Sequence, residues 1–553
     1  MRLAPPLTIA LFLGPVAAGL AGTILPAFGW LPALDVRQLS LEPWRQLLAA
    51  PGVGRGVVLT LASGLGATVL ALASAVLIVA ASHERRGTRP LRLTLPFLLA
   101  VPHLASAIGT AFLVAPSGFA ARLVSPWLTG WQRPPDLLTL NDPFGLALTF
   151  GLALRECPFL VLALIAAESQ IASGGRLAVA RTFGYGAAEA WLKLVLPQLY
   201  GQVRLPLYAV LAFALSVVDM AVVLGPTAPP VLAVQLLRWF NDPDLALRLV
   251  AAAGAVLQLG LILLAIGTWR AVETVLARLC RSWLLAGPSP SFERALRLLG
   301  RLAFTGVLGT SILGLGALLL WSVAGSWRFP AALPSQLQLA SWAAVAQDLS
   351  WPAATTLLLA ALSSLAALGL VLACLEHEAR TGPKPRARVL ALAYAPLLIP
   401  QVSFLFGLQV LFVRLGLDAT FPGLLWSHLV FVLPYVLLML HDPYLALDPR
   451  FLATGTVLGG APARVFWRIK LPLLRRPILV AAAVGFSVSV AQYLPTVFVG
   501  GGRWPTLTTE TLTLALGSDR RLAAAAALLL ALLPLAALAA ALAVRSPRLR
   551  HGR

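Results

Sequence analysis

Apolar runs long enough to cross a bilayer recur about twelve times along this chain, and that recurrence leaves few folds open. Hydrocarbon offers no partner to a backbone N–H or C=O, so each run must satisfy its own hydrogen bonds and is expected to be a helix. A transmembrane β-barrel would instead need short segments of alternating polarity, and the sequence shows none. The expected spans are 7–29, 56–82, 91–115, 143–168, 203–225 and 245–269, then 302–325, 354–376, 388–413, 421–441, 478–500 and 519–544. Charged residues make up only 11% of the chain, against roughly 25% in a soluble domain. The expected fold class is therefore an all-α polytopic membrane protein. The first span exceeds the apolar core of a cleavable leader and has a mid-chain counterpart at 302–325, so it is read as a retained helix.

A net charge of +21 could point to nucleic acid, but its placement gives a simpler account. With alternate connecting segments assigned to one side, starting from the N-terminus, that side carries 29 Lys/Arg against 9 Asp/Glu, and the other 12 against 11. Such a bias marks the first side as cytoplasmic. Both termini are then expected in the cytoplasm of a bacterial inner membrane, the bilayer is the partner, and no nucleic acid is needed. Cys157, Cys280 and Cys374 have no metal-ligand spacing, and they are expected to be reduced thiols.

The chain also repeats a punctuation. Ala178–Pro197 reads AVARTFGYGAAEAWLKLVLP and Ala453–Pro472 reads ATGTVLGGAPARVFWRIKLP. Gly184 and Gly459 lie 275 residues apart; ten residues after each comes Leu194 or Ile469, then Leu196-Pro197 or Leu471-Pro472. Glycine permits a turn with positive φ, and proline ends or kinks a helix. Each stretch is thus expected to be two short helices around a turn, rich in small residues and open to close approach by another protein. Fainter matches keep the same order: Pro102 and Gly109 with Pro400 and Gly407, Pro158 with Pro434, and Phe213, Ser216 and Asp219 with Phe486, Ser489 and Gln492. The expected organisation is a first half at 1–270, a basic cytoplasmic linker at 271–301 and a second half at 302–553, in parallel orientation.

The repeated stretch resembles the EAA loop of ABC-importer permeases, with its glycine, an aliphatic residue ten positions on and a closing Leu-Pro. Ala178 and Ala453 stand where the family has its initial glutamate; Ala180 keeps the last alanine, and Gly455 replaces it in the second copy. Over most of its length the chain is similar to fused, double-length permeases associated with thiamine, ferric iron or related solutes, including Ala491–Leu512, which resembles the fifth span and following loop. The resemblance implies coupling loops made of Ala180, Gly184, Tyr185, Gly186, Glu189, Leu194, Leu196 and Pro197, and of Gly455, Gly459, Gly460, Arg464, Ile469, Leu471 and Pro472. It implies a homodimeric ATP-binding subunit at the cytoplasmic face and a periplasmic solute-binding protein. ATP and Mg would be bound by that subunit: the three lysines, Lys193, Lys384 and Lys470, follow no glycine and no phosphate-binding loop is present. No cofactor and no enzymatic site are expected in the chain itself. The alternatives are a gradient-driven transporter of two six-helix halves, which would place ion-binding groups at mid-membrane, and a membrane enzyme or scaffold.

Charges inside spans are functional candidates by default. Arg155 and Glu156 fall mid-span, Asp219 falls in the outer part of the fifth span, and Gln492 is its counterpart. These four are the candidate translocation path, with helix packing as the competing role. His103 is expected to make a packing hydrogen bond. Glu376-His377-Glu378 is expected to be a solvated helix end, because consecutive helical residues do not converge on one ion.

Overall fold

The computed structural model describes residues 3–83, 88–171, 173–382, 386–458 and 460–544. It is 78% helical. Eleven described helices are long and apolar enough to cross a membrane, and a twelfth crossing is a pair bent by 91°. In chain order they are α1 (Ala4–Ala27), α2 (Val53–Ser82), α3 (His103–Val114), α4 (Leu146–Glu168), α5 (Ala187–Ser216), α6 (Leu247–Leu279), α7 (Pro290–Val323), α8 (Ser350–Thr381), α9 (Val402–Leu415), α10 (Phe421–Leu445), α11 (Pro462–Val490) and α12 (Arg520–Ala543). A 13-residue helix precedes α3 (Thr88–Ala100) and another precedes α9 (Arg386–Leu398). The breaks fall at Pro102 and Pro400, where the ring removes a donor from the helical ladder. One two-stranded ribbon, Trp30–Leu31 with Val36–Arg37, follows α1.

The packing exchanges helices between the two ends of the chain. α1 lies on α9, α6 and α8, whereas α7 lies on α2, α3 and α12. Both crossings are glycine-on-glycine. A Cβ on Gly22 would sit 2.8 Å from the Cα of Gly407, and one on Gly109 would sit 3.2 Å from the backbone of Gly314. Without a side chain at the crossing the backbones close up and gain dispersion contacts, a driving force that replaces hydrophobic burial in lipid. Thr23 adds a hydroxyl that accepts the Gly407 N–H at 3.1 Å.

Two expected spans are interrupted. α5 stops at Ser216 and a short helix, Asp219–Leu224, follows; α11 stops at Val490 and Leu494–Gly500 follows. Backbone freed by each break finds a partner on a neighbouring helix, as it must in a dry environment. Gln258 Nε2 donates to the carbonyl of Leu215 at 3.0 Å, and Thr508 Oγ1 donates to that of Val490. A second repeated contact supports these regions: Thr60 Oγ1 accepts the N–H of Leu232 at 2.9 Å, and Thr356 Oγ1 that of Leu507 at 2.8 Å. The stretch 271–301 is mostly helical, because α6 and α7 extend into it and a turn of helix, Arg281–Leu285, joins them.

Candidate functional site: a repeated surface loop and a buried polar cluster

In the first loop a helix, Ser173–Thr182, ends at a turn through Phe183 and Gly184, and α5 starts at Ala187. Gly184 has φ of +83°. The Gly184 N–H donates to the carbonyl of Arg181 and the Tyr185 N–H to that of Ala180, at 3.1 and 3.2 Å. These are the two bonds of a Schellman ending, which requires a left-handed residue at that place. In the second loop the helix Pro449–Val457 closes with the Gly460 N–H on the carbonyl of Gly455 at 3.0 Å, the same long bond 275 residues on. Gly459 itself lies outside the described residues. Gly455 replaces Ala180 because a Cβ there would meet Ile469 Cδ1 at 2.6 Å.

Of the two expectations for proline, that it ends the second short helix or kinks the entry to the next span, the first is corrected. Ala187 runs on into α5, and Pro462 into α11, as continuous helices of 30 and 29 residues. Each contains one π-helical turn, Trp191–Val195 and Phe466–Lys470, immediately before Leu196-Pro197 and Leu471-Pro472. Proline cannot donate to the carbonyl four residues back. A widened turn absorbs the mismatch without a break. The Leu-Pro pair therefore fixes where the loop helix flares as it joins the span.

Each loop is anchored by carboxylates from neighbouring helix ends. Glu168, at the end of α4, meets His83 Nε2 at 2.9 Å and accepts from Trp191 Nε1 at 3.1 Å. Trp191 is fully buried. In the second loop Glu376 accepts from Tyr444 Oη at 2.5 Å, Lys470 Nζ at 2.7 Å and Arg380 Nε at 2.9 Å. The expectation of a solvated helix end at Glu376 is thereby corrected: the side chain is buried because α10 and α11 close over it. Ile469 Cδ1 lies beside Gly455, whereas Leu194 at the matching place is 37% exposed. Beyond these anchors the loops differ. Glu189 and Lys193 of the first form a buried ion pair at 2.9 Å. Arg464 and Arg468, at the corresponding places of the second, are exposed.

The intramembrane candidates Arg155, Glu156 and Asp219 come together. Glu156 contacts His103 Nε2 at 3.3 Å. Arg155 Nη2 donates to the carbonyl of Leu99 at 3.2 Å, next to the break before α3. Asp219, first residue after the break in α5, lies within electrostatic reach of His103 and Arg155. The imidazole of His103 rests on Phe213, centroids 4.6 Å apart. Tyr435 of α10 lies within electrostatic reach of Glu156 and Arg155, and Tyr493 within reach of Asp219. Gln492 sits at the matching break after α11, buried. The cluster thus gathers groups from α3, α4, the α5 break, α10 and the α11 break. Tyr435 and Tyr493 were not singled out from sequence as polar groups, because a tyrosine in a span reads as one more apolar residue. Among the described residues no group of three or more His, Cys, Asp or Glu could hold a metal ion.

No family model matches the chain. Among curated proteins it is similar to the inner membrane ABC transporter permease protein YnjC of Escherichia coli strain K12, 32% identical over 501 residues, covering 90% of this chain and 89% of that protein. A shorter match, 27% identical over 113 residues, covers 20% of this chain and 43% of the spermidine/putrescine transport system permease protein PotC of the same strain. The molybdenum transport system permease protein ModB of Azotobacter vinelandii is 28% identical over 136 residues, or 22% of this chain and 60% of that protein. With nearly the whole length of a permease matched by a chain of twelve apolar crossings, the protein belongs to the inner-membrane ABC transporter permeases.

Proposed function

We propose that the chain supplies two membrane-spanning halves of a binding-protein-dependent importer, working with a pair of identical ATP-binding subunits. Membership of the ABC transporter permeases supports this reading over the gradient-driven one. The observation that carries the proposal is the loop made twice: a helix closed by the same backbone bond, then a helix flared by a π turn before Leu-Pro. In this reading each half presents one loop to one ATP-binding subunit, at the cytoplasmic face, with both chain termini on that side. Closure of the subunits on ATP draws the loops together, and the crossing helices rock the far side open toward a loaded binding protein. ATP and Mg belong to the subunits, and the chain supplies the path.

The experiment is a substitution at the turn. Gly184→Asp forces an aspartate into a left-handed conformation, strained for any residue with a Cβ. It also brings a charge to the loop surface. The variant should reach the membrane at normal level yet recover the ATP-binding subunit at least about tenfold less well, as expected when a docking turn loses roughly 1–2 kcal/mol or more. Undiminished co-purification of the subunit would remove the loops from the coupling role.

The solute is proposed to be a cation. Two carboxylates, Glu156 and Asp219, converge where the helices break, and the single guanidinium beside them already donates to a backbone carbonyl. Buried carboxylates attract a cation far more strongly than the same groups in water. PotC is named for spermidine and putrescine, which are cationic, and ModB for molybdenum; the cluster's charge favours the first comparison. Glu156→Gln and Asp219→Asn should each lower uptake by about tenfold or more, the size of one lost charge-assisted hydrogen bond, with complex assembly intact. Wild-type uptake in both variants at equal expression would place the path elsewhere.

A further inference from the structure

Among the described residues the two loops are covered unequally, and the cover on the first is the chain's own connecting segment. Pro288 and Ser289 lead into α7, where Ser289 Oγ accepts the Phe292 N–H. One turn on, Glu293 points back at the loop. Its carboxylate accepts the N–H of Glu189 at 2.7 Å and that of Ala188 at 3.3 Å, in the first turn of α5. First-turn N–H groups have no partner within their own helix, and a carboxylate there also meets the positive end of the helix dipole. Glu189 returns the contact by accepting the Ser289 N–H at 3.0 Å. Lys193 Nζ donates to the carbonyls of Ala286 and Gly287 at 3.1 and 3.2 Å, and Tyr185 Oη to that of Ala286 at 2.9 Å. Gly186 is glycine because a Cβ there would collide with the Glu293 carboxylate.

The second loop differs at each of these places. Ala461 stands where Gly186 does, so a Cβ is tolerated, and Arg464 and Arg468 replace Glu189 and Lys193. Both arginines are exposed, and Trp467 between them is 68% exposed. Like charges four apart on a helix repel, so this face is arranged for an outside counter-charge. In the first loop the same face is neutralised internally: the Glu189–Lys193 pair is buried beneath the strap.

We propose that Glu293 is a positioning residue that locks the first loop to α7, and that the loops therefore engage two identical ATP-binding subunits by different physics. The first is a rigid, internally neutralised wedge; the second is, among the described residues, an exposed cationic surface that takes acidic side chains. This rests on the reading of both loops as docking elements. It also ties the first loop to a helix that packs on α2 and α3, so that loop, α7 and those helices move together.

The test uses the full chain, alone and with its ATP-binding subunit. Glu293→Ala should speed hydrogen exchange of the Ala188 and Glu189 amides by about tenfold or more, leaving 460–470 unchanged, and weaken subunit binding several-fold equally at low and high salt. Glu293→Gln, which keeps an acceptor oxygen, should restore both most of the way. Arg464→Glu should leave the exchange pattern alone and weaken binding at low salt far more than at high salt, because exposed charges are screened. Unchanged exchange in Glu293→Ala overturns the strap. Faster exchange with undiminished subunit binding reduces Glu293 to packing and overturns its positioning role. If Gly184→Asp also binds the subunit normally, the docking reading itself has failed. If Gly184→Asp loses binding while Glu293→Ala keeps it, only the strap has.

Discussion

Gly407→Ala should destabilise the purified chain by about 3 kcal/mol, at the upper end of overpacking costs, whereas Gly109→Ala should cost only about 1 kcal/mol. The two glycines hold matching crossings, α1 on α9 and α7 on α3, but the room differs. A Cβ on Gly407 would lie 2.6 Å from the carbonyl carbon of Gly22, 2.7 Å from the nitrogen of Thr23, and closer still to the carbonyl of Gly19. All three obstacles are backbone, so no rotamer change relieves them. On Gly109 the nearest atoms are 3.2 Å away, a gap that a few tenths of an ångström of helix shift would restore. The alanine at 407 must therefore push α1 away from α9. That shift also strains the Thr23 bond to the Gly407 N–H and the bond from Trp426 Nε1 to the carbonyl of Leu11. Thermal unfolding of the detergent-purified variants checks the order. Equal losses, or a greater loss at 109, would show that α1 is not held where the structure puts it.

That asymmetry was hidden in the sequence, and so were the crossings themselves. Twelve apolar spans were legible because lipid imposes one strict condition, backbone satisfaction within each segment, and composition alone records it. Which span touches which was not, because one apolar helix face looks like another and a lipid-facing leucine is written like a helix-facing one. Gly109 and Gly407 stood out only as matching glycines; the exchange of α1 and α7 became visible with their partners Gly314 and Gly22. The break after Ser216 carries no glycine or proline and that after Val490 only Pro495 at the start of the next helix, and the two depend respectively on Gln258 and Thr508 from elsewhere in the chain. The turn of the repeated loop was legible because positive φ asks for glycine. What holds the loop was not. Glu293 lies 104 residues beyond Glu189 and reads as one acidic residue in a basic linker. Glu376 reads as part of a charged helix end until α10 and α11 bring Tyr444 and Lys470 to it.

The second large effect is expected at Glu376. Its carboxylate gathers Tyr444 Oη, Lys470 Nζ and Arg380 Nε, and the Lys470 ammonium lies 4.1 Å from the centre of the Tyr444 ring. The side chain of Lys470 is only 5% exposed. Glu376→Ala leaves that ammonium buried with no counter-charge, a defect that typically costs about 3–5 kcal/mol. Glu376→Gln keeps an acceptor and should lose about 2 kcal/mol, the difference between a charge-assisted and a neutral hydrogen bond with some desolvation left uncompensated. Lys470→Met should be milder than Glu376→Ala, since Arg380 and Tyr444 still satisfy the carboxylate. Combining Glu376→Leu with Lys470→Met removes both charges and should recover most of the loss, because residues in direct contact are coupled rather than additive. Unfolding midpoints of the single and double variants read this directly. Strictly additive losses would mean the pair does not hold the second loop to α8 and α10. Recovery of stability without recovery of ATP-binding-subunit association would separate the two roles of the site: the ions would then serve to aim the loop, and an apolar substitute would hold α11 in place while letting the loop swing.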